Sequence, residues 1–284
     1  MKKEFDNYIF DLYGTLIDIH TDEEKEGLWQ EMAEYLMANF GVSYKSEALR
    51  KRYVEICAEE EKKLKAKNGA DFPEIRIENV WGRLISEGKS CCEKASSDTA
   101  AACGNTLDTG ESESNVFATV DLESKEIRNL CIFFRESSRD KLVVYEGVKD
   151  TLDKLKAMGK GIFLLSNAQR AFTEKELEDT GLTDYFDDIF ISSDKEIKKP
   201  QKEFLELLVR KNGLFVDKCV MIGNDIFSDV GVAFKNGMNS VFLNTYDFTE
   251  KKIDRELSEL GIKGSELMPV IAGDGDIRSI LPGA

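Results

Sequence analysis

A chain of 284 residues can bury one large core or two smaller ones, and 42% hydrophobic with 33% charged residues is an ordinary water-soluble composition. The formal charge of −15 argues against a broad nucleic-acid surface or a face for anionic membranes, both of which need clustered Lys and Arg; a small anionic substrate stays open, drawn in by a local cation, a helix N-terminus or a bound metal. No apolar run approaches a membrane span and no signal-peptide pattern leads into the first strand, so a cytoplasmic protein is expected.

The first element is the run Tyr8-Ile9-Phe10-Asp11-Leu12-Tyr13-Gly14-Thr15-Leu16-Ile17-Asp18, an apolar strand ending in an aspartate and a Gly-Thr turn. A carboxylate at the carboxyl end of a buried strand is placed to meet a ligand, because burying Asp11 unpaired would be costly. A long helical stretch follows. Leu28, Met32, Tyr35, Leu36 and Phe40 form one apolar stripe, closed by Gly41, and Leu49, Tyr53 and Ile56 form another. A third helix is predicted over 74–85. Residues 88–124, rich in Ser, Thr, Ala and Gly with weak alternation at Val116, Ala118, Val120 and Leu122, read as a flexible insertion with one hairpin strand. The six cysteines, Cys57, Cys91, Cys92, Cys103, Cys131 and Cys219, lack disulfide or zinc-ribbon spacing, and free thiols are expected.

From Tyr145 onward helices and strands alternate. A helix over 147–158 is closed by Gly159, a strand spans 161–165, and Thr173 with Glu176 has the spacing of a capping box opening a helix that stops near Gly181. A strand over 188–192, a helix begun by Pro200, strands over 219–222 and 240–243, and a helix near 230–235 complete the pattern. Such alternation implies an α/β fold, a Rossmann-like doubly wound parallel sheet with right-handed crossovers. Its first strand lies at residues 1–17 and the rest in 145–284, which makes 18–144 an inserted, mainly helical domain.

Four features at predicted strand ends resemble, in order, the motifs of the haloacid dehalogenase superfamily. Asp11 before Gly14-Thr15-Leu16 resembles the nucleophile motif, and Leu164-Leu165-Ser166-Asn167 resembles the second, whose hydroxyl holds a phosphoryl oxygen beside backbone amides. Lys198-Lys199-Pro200 resembles the third, with Lys199 steadying nucleophile and transferred group; Met221-Ile222-Gly223-Asn224-Asp225-Ile226-Phe227-Ser228-Asp229 resembles the acidic fourth. The resemblance covers about half the chain, and the inserted domain matches a helical cap only in position and character.

What the resemblance implies is a magnesium-dependent phosphohydrolase acting on a small phosphorylated metabolite. Asp11 would attack phosphorus to give an aspartyl-phosphate, with Gly14, Thr15, Ser166, Asn167 and Lys199 around the phosphate. Mg2+ would be held by Asp11, the main-chain carbonyl of Tyr13 and Asp225, with Asp229 supporting through water, Lys199 or the loop backbone. The chain departs from the family at Tyr13, where most of its phosphatases carry an acid-base aspartate. Turnover is then slow or confined to good leaving groups, unless the phenol donates a proton or orients water, or His20 near the cap hinge substitutes. Two alternatives stand beside this reading. Metal-independent 2-haloacid dehalogenases carry a similar Asp-x-Tyr-Gly-Thr-Leu run, although the acidic fourth motif argues against them, and a non-catalytic relative would retain the pocket without turnover. Neither substrate identity nor oligomeric state follows from the sequence.

Overall fold

Tyr8, Ile9 and Phe10 form a strand because apolar partners wait on both sides of it: alternation sends Tyr8 and Phe10 into one buried cluster and Ile9 into another. The structure, a computed structural model, describes residues 4–97 and 120–281, of which 90–97 are described by backbone alone. Its strands are β1 (Asn7–Phe10), β2 (Ile17–Thr21), β3 (Arg139–Val144), β4 (Gly161–Ser166), β5 (Asp188–Ile191), β6 (Cys219–Gly223), β7 (Asn239–Leu243) and β8 (Val270–Ala272). Its α-helices are α1 (Leu28–Phe40), α2 (Ser46–Asn68), α3 (Ile77–Ser97), α4 (Lys125–Ser138), α5 (Val148–Ala157), α6 (Arg170–Thr180), α7 (Ser192–Lys195), α8 (Lys202–Lys211), α9 (Gly231–Lys235) and α10 (Glu250–Glu259). The chain divides into two compact units, one of Met1–Thr21, Glu61–Arg76 and Arg139–Ala284, the other of Asp22–Glu60 and Ile77–Ser138.

The first unit holds a six-stranded sheet in the order β5-β4-β1-β6-β7-β8, every pair parallel. The chain moves outward from β1 to β5, returns to its other side at β6 and continues to β8. Strand order therefore reverses beside β1, the place where open α/β sheets form a ligand crevice at the carboxyl ends of their strands. Tyr8, Phe10, Ile162, Leu164, Val220 and Ile222 meet α5 through Val148, Leu152 and Leu155 on one face. On the other, Ile9, Phe163, Leu165 and Met221 meet α8 through Phe204, Leu205 and Leu208. Each large side chain so buried contributes roughly 1.5–3 kcal/mol, which fixes the strands that carry the site.

Several elements differ from the expected ones. The helix after β4 begins at Arg170, three residues before Thr173, and its N-cap Gln169 makes no side-chain cap bond. The capping-box reading of Thr173 and Glu176 is thus corrected: both are buried inside α6, and the Thr173 hydroxyl donates to the carbonyl of Gln169 at 2.8 Å. The helix expected over 74–85 runs instead from Ile77 to Ser97, taking up the first part of the supposed insertion, while α4 follows from Lys125. The proposed hairpin at Val116 and Ala118 lies outside the described residues. An antiparallel ribbon of β2 and β3, unforeseen in a stretch read as helical, pairs Ile17 with Val144 and Ile19 with Leu142 in the first unit.

Residues 61–76 also belong to the first unit. Phe72 O accepts from Lys198 N at 3.0 Å, Pro73 bridges to Ile197, and Glu74 N donates to Glu196 O at 3.1 Å. The second unit has its own core, built on Trp29, Tyr53, Trp81 and Phe134, whose neighbouring ring centroids lie 5.1–5.7 Å apart. The buried stripe of α1 is Leu28, Trp29, Met32, Ala33 and Leu36, so Tyr35 and Phe40 sit at its margin. Among described residues, Cys57, Cys131 and Cys219 take part in no disulfide.

Candidate active site

Asp11 follows β1 directly, and its N–H donates to Ile222 O at 2.9 Å, extending the ladder one residue past the strand. The chain then wraps around the carbonyl of Leu12, which accepts from Leu16 N at 2.8 Å and Ile17 N at 3.0 Å. Gly14 turns this loop at φ 80°, and a β-carbon there would stand 2.2 Å from Asn224 Nδ2. Both the left-handed backbone and the lack of room call for glycine.

Lys199 reaches back under this loop from the stretch after β5. Its buried ammonium donates to Asp11 Oδ1 at 2.6 Å, Asp229 Oδ1 at 2.7 Å and Leu165 O at 2.8 Å. Burial pulls the ammonium toward neutrality, but Asp11 and Asp229 outweigh it and the pKa is raised. Asp229 is also raised, chiefly by burial and next by the charge of Asp11, with Lys199 opposing. Two carboxylates around one ammonium leave the cluster formally anionic.

The acidic loop after β6 is a π-helical turn, Ile226–Val230, capped by Asp225, whose side chain accepts from Ser228 N at 2.5 Å. This wide turn brings Asp229 Oδ2 back to Asp225 N at 3.0 Å. It also brings the Asp229 carboxyl against Gly223, where a β-carbon would lie 2.1 Å from Oδ2. Gly223 is thus required for space, and Asp229 has both oxygens engaged. Asp225 is exposed.

Thr15 and Asn167 serve the loops themselves. The buried Thr15 hydroxyl donates to Asp11 Oδ2 at 3.0 Å, with Asn224 Oδ1 at 3.2 Å. Asn167 accepts from Lys199 N at 2.8 Å and donates to Lys199 O at 3.0 Å, a double clamp that orients the lysine's main chain. Ser166 is different: its Oγ is fully buried and has no hydrogen-bond partner among the described residues. An orphan hydroxyl at the end of β4 points to a ligand that satisfies it.

Tyr13 turns away from this cluster. Its hydroxyl bonds to the Glu176 carboxylate and lies 3.0 Å from Thr173 Oγ1, while the other oxygen of Glu176 accepts from Arg139 at 2.7 Å. His20 sits on the exposed ribbon, paired with Asp140 at 2.8 Å. The contacts of Asn224, Thr173 and Glu176 with the nucleophile loop or its Tyr13, and that of Arg139 with Glu176, went unseen in the sequence, where Thr173 and Glu176 read only as a capping box. Asn224 carried a signal in its place between Gly223 and Asp225; the others carried none, because their partners are remote in the chain.

Asp11, Asp225 and the carbonyl of Tyr13 are hard oxygen donors suited to Mg2+, which keeps several waters and takes few protein ligands. Among the described residues no three His, Cys, Asp or Glu side chains group as a metal cage. Such donors suit a cation shared with a substrate and water, and Asp229, committed to Lys199 and Asp225 N, would act behind it.

The parallel α/β sheet thus carries an acidic, lysine-bridged cluster at its carboxyl ends. The haloacid dehalogenase-like hydrolase family matches residues 5–237, and the chain belongs to that family of enzymes. Similar curated proteins include a ribulose-1,5-bisphosphate 5-phosphatase of Halopiger xanaduensis, 26% identical over 40% of this chain and 52% of its own length. A phosphoglycolate phosphatase of Aliivibrio fischeri is 32% identical over 37% of this chain and 45% of its own. The chain spans about half the length of the curated relatives it matches. Among solved structures, a dehalogenase with an intermediate complex shares the fold with a TM-score of 0.50 over 96% of this chain and 95% of that one, at 15% identity. Among the described residues no helix is long and apolar enough to cross a membrane.

Proposed function

We propose that the chain is a magnesium-dependent phosphohydrolase for a small phosphorylated compound, working through Asp11. The observation that carries this reading is the joint geometry of Asp11, Lys199 and the orphan Ser166 hydroxyl: a nucleophile, a cation and an unsatisfied donor at neighbouring strand ends. The phosphatase names of the similar proteins agree with it. Asp11 Oδ would attack phosphorus and form an aspartyl-phosphate, which water then hydrolyses. Ser166 would donate to a non-bridging oxygen, and Lys199 would hold Asp11 in place while offsetting charge on the phosphoryl group. Mg2+, when bound, would neutralise the phosphate and align it. Within the inserted stretch 18–144, the second unit, Asp22–Glu60 and Ile77–Ser138, would act as a cap that selects the leaving group. The carbonyl of Tyr13 is the ligand offered to the metal, so its side chain is free of that duty.

The test is phosphate release from a panel of phosphoesters and acyl phosphates, with Mg2+ and with chelator, beside halide release from 2-chloropropionate. Chelator-sensitive phosphate release is expected. Halide release without Mg2+ would overturn the reading in favour of a dehalogenase, and binding of phosphorylated compounds without turnover would favour a non-catalytic relative.

A further inference from the structure

The donors hydrogen-bonded to Asp11, and the Tyr13 phenol two residues on, are committed within the protein. Cleaving a phosphate ester of an ordinary alcohol expels an alkoxide, whose parent hydroxyl resembles water at a pKa of about 15.7, so an acid must protonate it as it leaves. Lys199 has three ammonium protons, and all three are held, by Asp11, Asp229 and Leu165 O. The Thr15 hydroxyl donates to Asp11. Tyr13 has one phenolic proton, directed at a Glu176 carboxylate that Arg139 grips from its other side.

Two further carboxyls at this end of the sheet are engaged as acceptors. Asp229 takes Lys199 and Asp225 N. Glu74 takes Ser192 Oγ at 3.0 Å and Gln169 Nε2 at 3.1 Å. Ser166 offers a single hydroxyl, suited to hold a phosphoryl oxygen rather than to surrender a proton. Among these residues, then, nucleophile and anion holder are present and the proton donors are tied down; the exposed Tyr246 phenol stands at the Gly14 turn, where a β-carbon would meet its oxygen at 2.6 Å.

We infer that the substrates this site handles best are acyl phosphates, whose leaving group departs as a carboxylate and needs no proton. This inference rests on the phosphohydrolase reading and narrows it. In the first step the Asp11 oxygen bonds to phosphorus, the bond from phosphorus to the acyl oxygen breaks, and its electron pair leaves on the substrate's carboxylate. The phosphoryl group passes from one carboxylate to another, each with a parent acid near pKa 4, so the exchange is close to balanced. In the second step water attacks phosphorus, the electron pair returns to Asp11, and both protons of the water depart on dihydrogen phosphate. No external acid enters either step.

The experiment compares kcat/KM of the wild-type enzyme with Mg2+ on acetyl phosphate and on two alkyl esters, phosphoglycolate and β-glycerol phosphate, after subtraction of spontaneous hydrolysis. Acetyl phosphate is expected to be favoured by about 10²–10⁴-fold, the usual contribution of a general acid. Tyr13→Asp, which puts a carboxyl two residues after the nucleophile and frees the side chain from its bond to Glu176, is expected to narrow that ratio by about tenfold or more. The wild-type series decides the matter on its own should that variant fail to fold. Alkyl esters cleaved within tenfold of acetyl phosphate, or a folded Tyr13→Asp enzyme with an unaltered ratio, would overturn the inference and leave the phosphohydrolase reading standing. No magnesium-dependent phosphate release from any of the three would remove both.

Discussion

A buried hydroxyl without a partner and a buried ammonium with three are opposite solutions to the same cost of desolvation. Lys199 is stabilised by its carboxylates whether or not a ligand is bound, so its removal would strand two buried charges and unsettle the fold as well as the chemistry. Ser166 gives a cleaner experiment. Its Oγ is buried without a protein partner, which costs the free protein about 1–3 kcal/mol of unreturned desolvation. Ser166→Ala should therefore leave the ligand-free protein as stable as the wild type or slightly more so, and lower kcat/KM by about 10²–10³-fold, as for loss of one oxyanion donor. Thermal melts without ligand and steady-state kinetics would check both halves. A clear drop in melting temperature with activity intact would mean the hydroxyl serves packing rather than substrate.

At the scale of elements, α6 shows where local pattern loses to distant contacts. Thr173 and Glu176 have capping spacing, yet Glu176 is 1% exposed because Tyr13 and Arg139, both far off in the chain, need its carboxylate. Five of the six sheet strands were legible because unbroken apolar runs such as Tyr8-Ile9-Phe10 and Val220-Met221-Ile222 leave a chain few other options, whereas the short edge strand β8 (Val270–Ala272) was not foreseen. The ribbon of β2 and β3 was not foreseen either, since its outer positions Asp18, His20, Asp140 and Lys141 dilute the signal of Ile17, Ile19, Leu142 and Val144. Nor did residues 61–76 betray their pairing with 196–198, which rests on backbone bonds indifferent to side-chain type and on bonds from Lys67 and Asn68 to the remote Glu196. The quartet Asp11, Lys199, Asp225 and Asp229 was readable from carboxylates and a lysine at strand ends; the partners of Tyr13 were not. Glu176→Ala should cost about 3–5 kcal/mol by leaving the mostly buried Arg139 without its carboxylate, with Glu176→Gln costing less. Urea denaturation of both variants measures this, and a loss below about 1 kcal/mol for Glu176→Ala would deny the pair its structural weight.

Across the whole molecule, the site exists only once the sheet has assembled, because its parts follow β1, β4, β5 and β6. A ligand that needs all of them binds the folded chain alone and stabilises it by RT ln(1 + [L]/Kd), about 2.7 kcal/mol at a hundredfold excess over Kd. A chain of formal charge −15, with two carboxylates around Lys199, repels a phosphate-like dianion unless a divalent cation intervenes. Mg2+ with orthovanadate or beryllofluoride should therefore raise the melting temperature of the transition that melts the sheet by roughly 5–10 °C, taking about 2–4 °C per kcal/mol for a unit of this size. Either anion without Mg2+ should do far less. Asp11→Asn should abolish the shift, because it removes the carboxylate that both the cation and the phosphoryl mimic require. Calorimetry of the wild type and this variant, each with the four combinations of metal and mimic, resolves these cases. An equal shift in Asp11→Asn, or one that persists in chelator, would place the ligand away from Asp11.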